Sequence, residues 1–195
     1  TLFRSSAEMK REEAIEKIML SASEKTAFIS TTGMASRELY ELREKHGMGH
    51  EKDFLTVGSM GHASQIALSI AMQKKDRQVY CIDGDGASIM QMGGMATIGT
   101  RAPSNMIHFV LNNGAHDSVG GQPTVGRQID LCAIAAGCGY ENVLKVETPE
   151  ELDAALNDSE SKSKLTFVEV LVTKGARKDL GRPKSTPKEN KIALM

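Results

Sequence analysis

Residues 84–86 read Gly-Asp-Gly, where an apolar run ending at Asp83 gives way to a segment of small and apolar residues with helical character. Free backbone amides at such a junction attract phosphate, and the dipole of a following helix adds to the pull. A carboxylate there repels phosphate, so Asp85 contradicts a simple anion cradle. The contradiction disappears if a divalent cation sits between the carboxylate and a diphosphate, because the ion reverses the local sign of charge. A hard cation wants further oxygen ligands, and the next apolar run ends in Asn112-Asn113, bringing amide oxygens to an adjacent loop. A dinucleotide fingerprint needs a third glycine where Ile89 stands, and no loop of the GxxxxGKS or GxxxxGKT type occurs. Taken singly, a Gly-Asp-Gly turn and an asparagine pair at a strand end are also ordinary structure.

Placing these loops side by side requires a particular order of elements. Apolar spacing at Ala14, Ile15, Ile18, Met19 and Ala22 predicts an amphipathic helix over 8–23. "TAFIST" reads as a strand, "ASRELYELREKH" as a helix, "DFLTVG" as a brief extended piece and 61–74 as a largely buried helix. "RQVYCID" and "MIHFVLNN" are continuous strand-like runs of the buried kind, with one helix, "ASIMQMGGMATIGT", between them. After an irregular, glycine-rich 114–127 come a helix at 129–137, a strand at 142–146, a helix at 149–157 opened by "TPEE", and a strand at 165–172. Such alternation predicts an α/β fold: a mostly parallel sheet with helices on both faces and its ligands beyond the carboxyl ends of the strands. Residues 1–173 are expected to form one domain. Residues 174–195, with seven Lys or Arg against Asp179 and Glu189, form a basic tail that is either solvated or folded back on a site.

Bulk composition narrows the function classes. With 24 basic and 25 acidic residues the formal charge is −1, so no global field recruits nucleic acid or an anionic membrane. Cys81, Cys132 and Cys138 show neither metal-ligand pairing nor a disulfide framework, which points to a reducing cytoplasm. No apolar run approaches the length of a membrane span, and the N-terminal residues lack the hydrophobic core of a signal peptide. A chain that begins at Thr1 is expected to be a fragment or a trimmed chain.

Together, Gly-Asp-Gly, 25 intervening residues and Asn-Asn after an apolar strand carry more information than either motif alone. That pattern, and most of the chain from about residue 10 to 172, resembles the diphosphate-binding domain of the thiamine diphosphate (TPP) enzymes, with the TPP-binding fold that implies. The resemblance implies Mg²⁺ held by Asp85, the Asn113 side chain and the Ala115 carbonyl, with Gly84 and the amides of Gly86 and Ala87 near the diphosphate. Asn112 would shape the loop. In "TVGSMGHA", Gly58, Ser59 and Met60 would lie against the cofactor, the Gly58 carbonyl accepting from the aminopyrimidine and Met60 propping the bent cofactor. Thr32 and Gly33 would contact the diphosphate. Met60 read by itself is an ordinary gap-filling core methionine.

The loop "NNGAHDSVGGQPTVG" and the tail "DLGRPKSTPKENK" are similar to those of family decarboxylases that take a 2-oxo acid with a terminal anion. The implied substrate is 3-phosphonopyruvate, giving phosphonoacetaldehyde and carbon dioxide, with 3-sulfopyruvate as the alternative. His116 is then a candidate general acid or hydrogen-bond donor, with Asp117 and Ser118 to orient it or shape the mouth of the site. A phosphonate needs cations, and Arg127, Arg177, Lys178 and Arg182 are candidates. Gly120, Gly121 and Gly126 suggest a loop able to close over substrate. His46, His50, His62 and His108 show no ligand spacing. The family's activating glutamate belongs to a separate pyrimidine-binding domain, for which this chain has no room. The chain is therefore expected to be half an enzyme, inactive without that partner and prone to self-association. A Mg²⁺-dependent phosphate-binding module without catalysis is the non-enzymatic alternative.

Overall fold

Runs of apolar and β-branched residues without polar interruption become strands covered on both faces. β1 (Ala27–Ser30), β2 (Asp53–Leu55), β3 (Val79–Gly84), β4 (Met106–Asn112), β7 (Asn142–Val146) and β8 (Thr166–Leu171) form one sheet, ordered β2-β1-β3-β4-β8-β7. All five pairings are parallel. β5 (Ala115–His116) and β6 (Gln122–Pro123) form a separate antiparallel ribbon. The structure, a computed structural model, describes residues 9–194.

Alternate strand residues face opposite layers. Phe28, Tyr80, Phe109 and Val168 meet α1 (Arg11–Ser21), α2 (Met34–Lys45) and α7 (Pro149–Asn157) on one face. Ala27, Cys81, Val110 and Phe167 meet α3 (Ala63–Gln73), α5 (Gly93–Arg101) and α6 (Leu131–Cys138) on the other. The expected mostly parallel sheet with helices on both faces is the fold found. From β1 the chain moves outward to β2, then crosses back to β3, so the strand order reverses between β1 and β3. A crevice therefore opens beyond their carboxyl ends, where ligands of such sheets bind. Thr31 to Gly33 and Gly84 to Ala87 lie at those two ends.

Local structure refines several expectations. The single helix at 87–100 is two, α4 (Asp85–Met90) and α5, because the poor helix former Gly93-Gly94 follows the break and Gln65 Nε2 donates to the Gly94 carbonyl (3.1 Å). The irregular 114–127 holds the β5–β6 ribbon and a turn of 3-10 helix at Asp117–Val119. The tail contains α8 (Pro187–Leu194), which packs on β2, and it turns back on the body: Arg177 pairs with Glu12 and Glu41, and the Gly181 N–H donates to Glu41 (2.7 Å). The helix expected at 8–23 spans Arg11–Ser21, and Glu8 lies outside the described residues.

The layer behind the site is close packed. A Cβ at Gly99 would lie 1.8 Å from the Cys138 carbonyl oxygen, whereas one at Gly137 meets nothing within 4 Å. Gly99→Ala is expected to lower unfolding free energy by about 1–3 kcal/mol through overpacking. Gly137→Ala should raise it by up to about 1 kcal/mol through helix propensity. Urea denaturation of the pair checks both signs.

Candidate active site

Three strand ends and one loop converge on a single cavity. β1 contributes Thr31 and Thr32, β3 contributes Asp83 to Ala87, and β4 contributes Asn113, Ala115, His116, Asp117 and Ser118. Met60 completes one wall from the loop before α3, and Arg11 of α1 another. Gly33 sits at the rim, where a Cβ would be 3.1 Å from Ser118. Gly58 and Ser59 are exposed one step away, with the Gly58 N–H donating to Thr32 Oγ1 (3.1 Å). The Gly58–Gly61 turn presses on α4, and a Cβ at Gly61 would meet the Ala87 carbonyl at 2.6 Å. His116 stands over Gly86, its ring 2.3 Å from where a Cβ there would be, so glycine at 86 makes room for the imidazole.

Asp85 is 1% exposed and has no cationic side chain in salt-bridge contact among the described residues. Burial holds its carboxyl above the ordinary aspartate range, against donation from the Thr124 hydroxyl and the amides of Asn113, Gly86 and Asp85 itself. Its neighbours are oxygen-rich: the Asn113 side chain and, two residues on, Ala115, with the unpartnered Thr31 hydroxyl in the same cavity. A buried carboxylate beside neutral oxygen donors suits a hard divalent cation, so the residues present fit Mg²⁺. α4 has only six residues, so what its start offers is first-turn amides more than a long helix field.

Spatial neighbours missed in the sequence hold this arrangement. Thr124 returns from 39 residues along the chain to reach Asp85, and Gly126 allows the approach, since a Cβ there would be 2.5 Å from Asp85 Oδ2. Asn112 Nδ2 donates to the Gly126 carbonyl (2.8 Å) and to Glu169 (2.7 Å), while its Oδ1 accepts from the Gly114 N–H (3.1 Å). Asp117 accepts from Arg11 Nη1 (2.7 Å), Asn113 Nδ2 (2.7 Å) and the Gly175 N–H (3.0 Å). Arg11 in turn forks onto Glu38 at 2.7 and 2.9 Å. Burial works against the Arg11 charge, and its bonds to Glu38 and Asp117 outweigh that and raise its pKa. No sequence signal marked Arg11 apart from other helix-surface arginines.

Of the candidate cations, Arg127 is spent on the Asn112 and Val172 carbonyls (2.8 and 3.0 Å), and Arg177 on three carboxylates. Arg182 lines a groove joined to the cavity through Thr32, Met60 and Ser118, together with Arg37 and Lys184. Among the described residues these three make no salt bridge. Val57 (72% exposed) and Val119 (60%) stand on the same groove. The other histidines point elsewhere: His46 to Glu16, His50 stacked on Tyr40, His62 towards the Ser59 carbonyl, and His108 buried against Tyr140. Cys81, Asp83 and His108 approach one another inside the sheet, where Asp83 accepts the Gly84 N–H (3.0 Å) at the strand end.

Crevice, buried carboxylate and oxygen donors define a diphosphate-binding domain, and residues 29–170 match the model of the thiamine pyrophosphate enzyme C-terminal TPP-binding domain. The chain belongs to that family. It is 40% identical over 186 residues to phosphonopyruvate decarboxylase of Streptomyces viridochromogenes and 37% over 179 to that of Streptomyces hygroscopicus. These matches cover 95% and 92% of this chain but only 45% and 43% of those relatives, so the chain spans less than half their length. It is also 37% identical over 157 residues to sulfopyruvate decarboxylase subunit beta of Methanocaldococcus jannaschii, covering 78% of this chain and 80% of that subunit. A solved structure from Mycobacterium smegmatis, described as a thiamin diphosphate-dependent enzyme, shares the fold with TM-score 0.70 at 22% identity, over 86% of this chain and 32% of that one.

An aspartate whose carboxyl is raised by burial favours the protonated fold. Its ionised form weakens the metal-free chain increasingly as pH climbs from the ordinary aspartate range through the raised value. Thermal unfolding without metal should therefore show a loss of stability across that window that is absent in Asp85→Asn. Identical pH profiles would contradict the burial assignment.

Proposed function

We propose that this chain is the diphosphate-binding half of a TPP-dependent decarboxylase converting 3-phosphonopyruvate to phosphonoacetaldehyde and carbon dioxide. The observation that carries the reading is the buried Asp85 beside Asn113 and Ala115 at neighbouring strand ends, in a cavity that also holds His116. Asp85, the Asn113 side-chain oxygen and the Ala115 carbonyl would hold Mg²⁺. Thr32, Gly33, Gly84, Gly86 and Ala87 would meet the diphosphate, and Gly58, Ser59 and Met60 the remainder of the cofactor. Bound there, TPP supplies the electron sink a 2-oxo acid needs when carbon dioxide leaves.

The protein's own part is placement and protons. His116, whose ring lies over Gly86, would deliver a proton from a ring nitrogen to the substrate carbon that loses carbon dioxide. Ser118 and Asp117 shape its surroundings, Asp117 through bonds rather than proton transfer, since its Oδ2 already accepts from three donors. Arg37, Arg182 and Lys184, on the adjoining groove and without carboxylate partners among the described residues, suit the phosphonate. The tail expected at 174–195, beyond the domain at 1–173, would thus lend residues 182–187 and Asn190 as a wall of the site. A pyrimidine-binding domain, from the same or another chain, would cover the exposed Val57 and Val119 and supply the remaining half-site in a cytoplasmic oligomer. No described helix is long and apolar enough to cross a membrane. Sulfopyruvate decarboxylation is the second reading, favoured by the near full-length match to a beta subunit.

Alone, the chain should not turn over either acid. With a pyrimidine domain added, it should prefer 3-phosphonopyruvate to 3-sulfopyruvate and pyruvate. Arg37→Gln and Arg182→Gln should each lower kcat/KM for 3-phosphonopyruvate by about tenfold, roughly 1.4 kcal/mol, and leave that for pyruvate unchanged. Turnover by the isolated chain, or a preference for sulfopyruvate in steady-state assays, would overturn the corresponding part.

A further inference from the structure

The orientation of one amide group decides whether Asn113 offers oxygen or N–H to the cavity. Its Oδ1 accepts from the Ala115 N–H (2.9 Å), and its Nδ2 donates to Asp117 Oδ2 (2.7 Å). Turning the amide over would set NH₂ against the Ala115 N–H and oxygen against a carboxylate, two repulsions in place of two bonds. Asp117 is itself fixed, because the same Oδ2 accepts from Arg11 Nη1 and the Gly175 N–H, and Arg11 is locked on the buried Glu38. Arg11 is 7% exposed and Glu38 1%, so the pair between them is shielded from competing water. Arg11 and Gly175 both lie outside residues 29–170, the span matched by the family model.

We propose that Arg11, acting through Asp117, is a positioning residue that sets the Asn113 amide with its oxygen turned to the cation position beside Asp85. The inference rests on the metal reading given above. Oδ1 has a second lone pair beyond the Ala115 bond, and only this orientation spares it for an ion. The Arg11 charge matters because its Nη1 pairs with Asp117 Oδ2 (2.7 Å), the same oxygen that accepts from Asn113 Nδ2, and so holds that acceptor in place. The N-terminal helix and the segment after β8 therefore reach the metal position without touching it.

Two readouts test this on the whole chain. In metal-free protein, the Asn113 side-chain amide protons should exchange slowly with solvent by NMR and lose about tenfold or more of that protection in Asp117→Ala and in Arg11→Met. With TPP and a pyrimidine-binding domain present, Mn²⁺ affinity read from the free-ion paramagnetic resonance signal should fall about 10–100-fold in both variants. Asn113→Asp distinguishes positioning from a structural role. Alone it places a carboxylate against Asp117 and weakens Mn²⁺ binding, but in the Asp117→Ala background it restores binding, since a carboxylate presents oxygen whichever way it turns. Folded variants with unchanged Mn²⁺ affinity, or a double variant that stays as weak as Asp117→Ala, overturn the proposal. A wild-type chain that binds no Mn²⁺ with TPP and a pyrimidine-binding domain present overturns the metal reading, and with it the proposed purpose of the orientation, while the exchange measurement still decides the amide lock.

Discussion

A carboxylate buried to 1% exposure with no cationic partner in contact is costly, and among the described residues Asp85 is such a group. The strand ends around it are arranged to lessen that cost without abolishing it: three backbone amides and the Thr124 hydroxyl donate, and Gly126 lets the loop come close enough to do so. What remains is a site electrostatically unfinished in the protein alone. A divalent ion would finish it and would turn a position hostile to phosphate into one that attracts it.

The sheet order supplies the place for this. Reversal of direction between β1 and β3 leaves a crevice into which Thr32, Gly84 and Asn113 project from separate loops. The ribbon of β5 and β6 then folds the loop after β4 back over Asp85, and Asn112 staples that fold to Glu169 on β8. The tail brings Arg182 and Lys184 against the same rim. Charge that is paired in the interior, as in Arg43 with Asp53 (2.8 Å), is left without a salt bridge on this groove among the described residues.

Much of the fold was legible in the sequence because its signals are local. Continuous apolar runs marked β3 and β4, and Thr148 with Glu151 marked the start of α7, where both halves of the capping box form. Asp85 stood out as a candidate because a carboxylate at a phosphate-type junction is chemically anomalous, and Asn113 because the next apolar run ends there and the family resemblance picks it out. The break between α4 and α5 was not, since it depends on Gln65 reaching Gly94 from another helix. Thr124 and Arg11 were invisible for the same reason, their partners lying 39 and 106 residues away. Arg127 and Arg177 read as free cations until the structure showed which carbonyls and carboxylates engage them.

Recruitment of a metal by Asp85 to hold a diphosphate is open to direct test. Calorimetric titration of TPP into the chain, with a pyrimidine-binding domain present, addresses it directly when run with and without Mg²⁺ on wild type and Asp85→Ala. The account predicts binding that requires Mg²⁺ and is lost in Asp85→Ala. Equal binding without the ion, or by the variant, would contradict it.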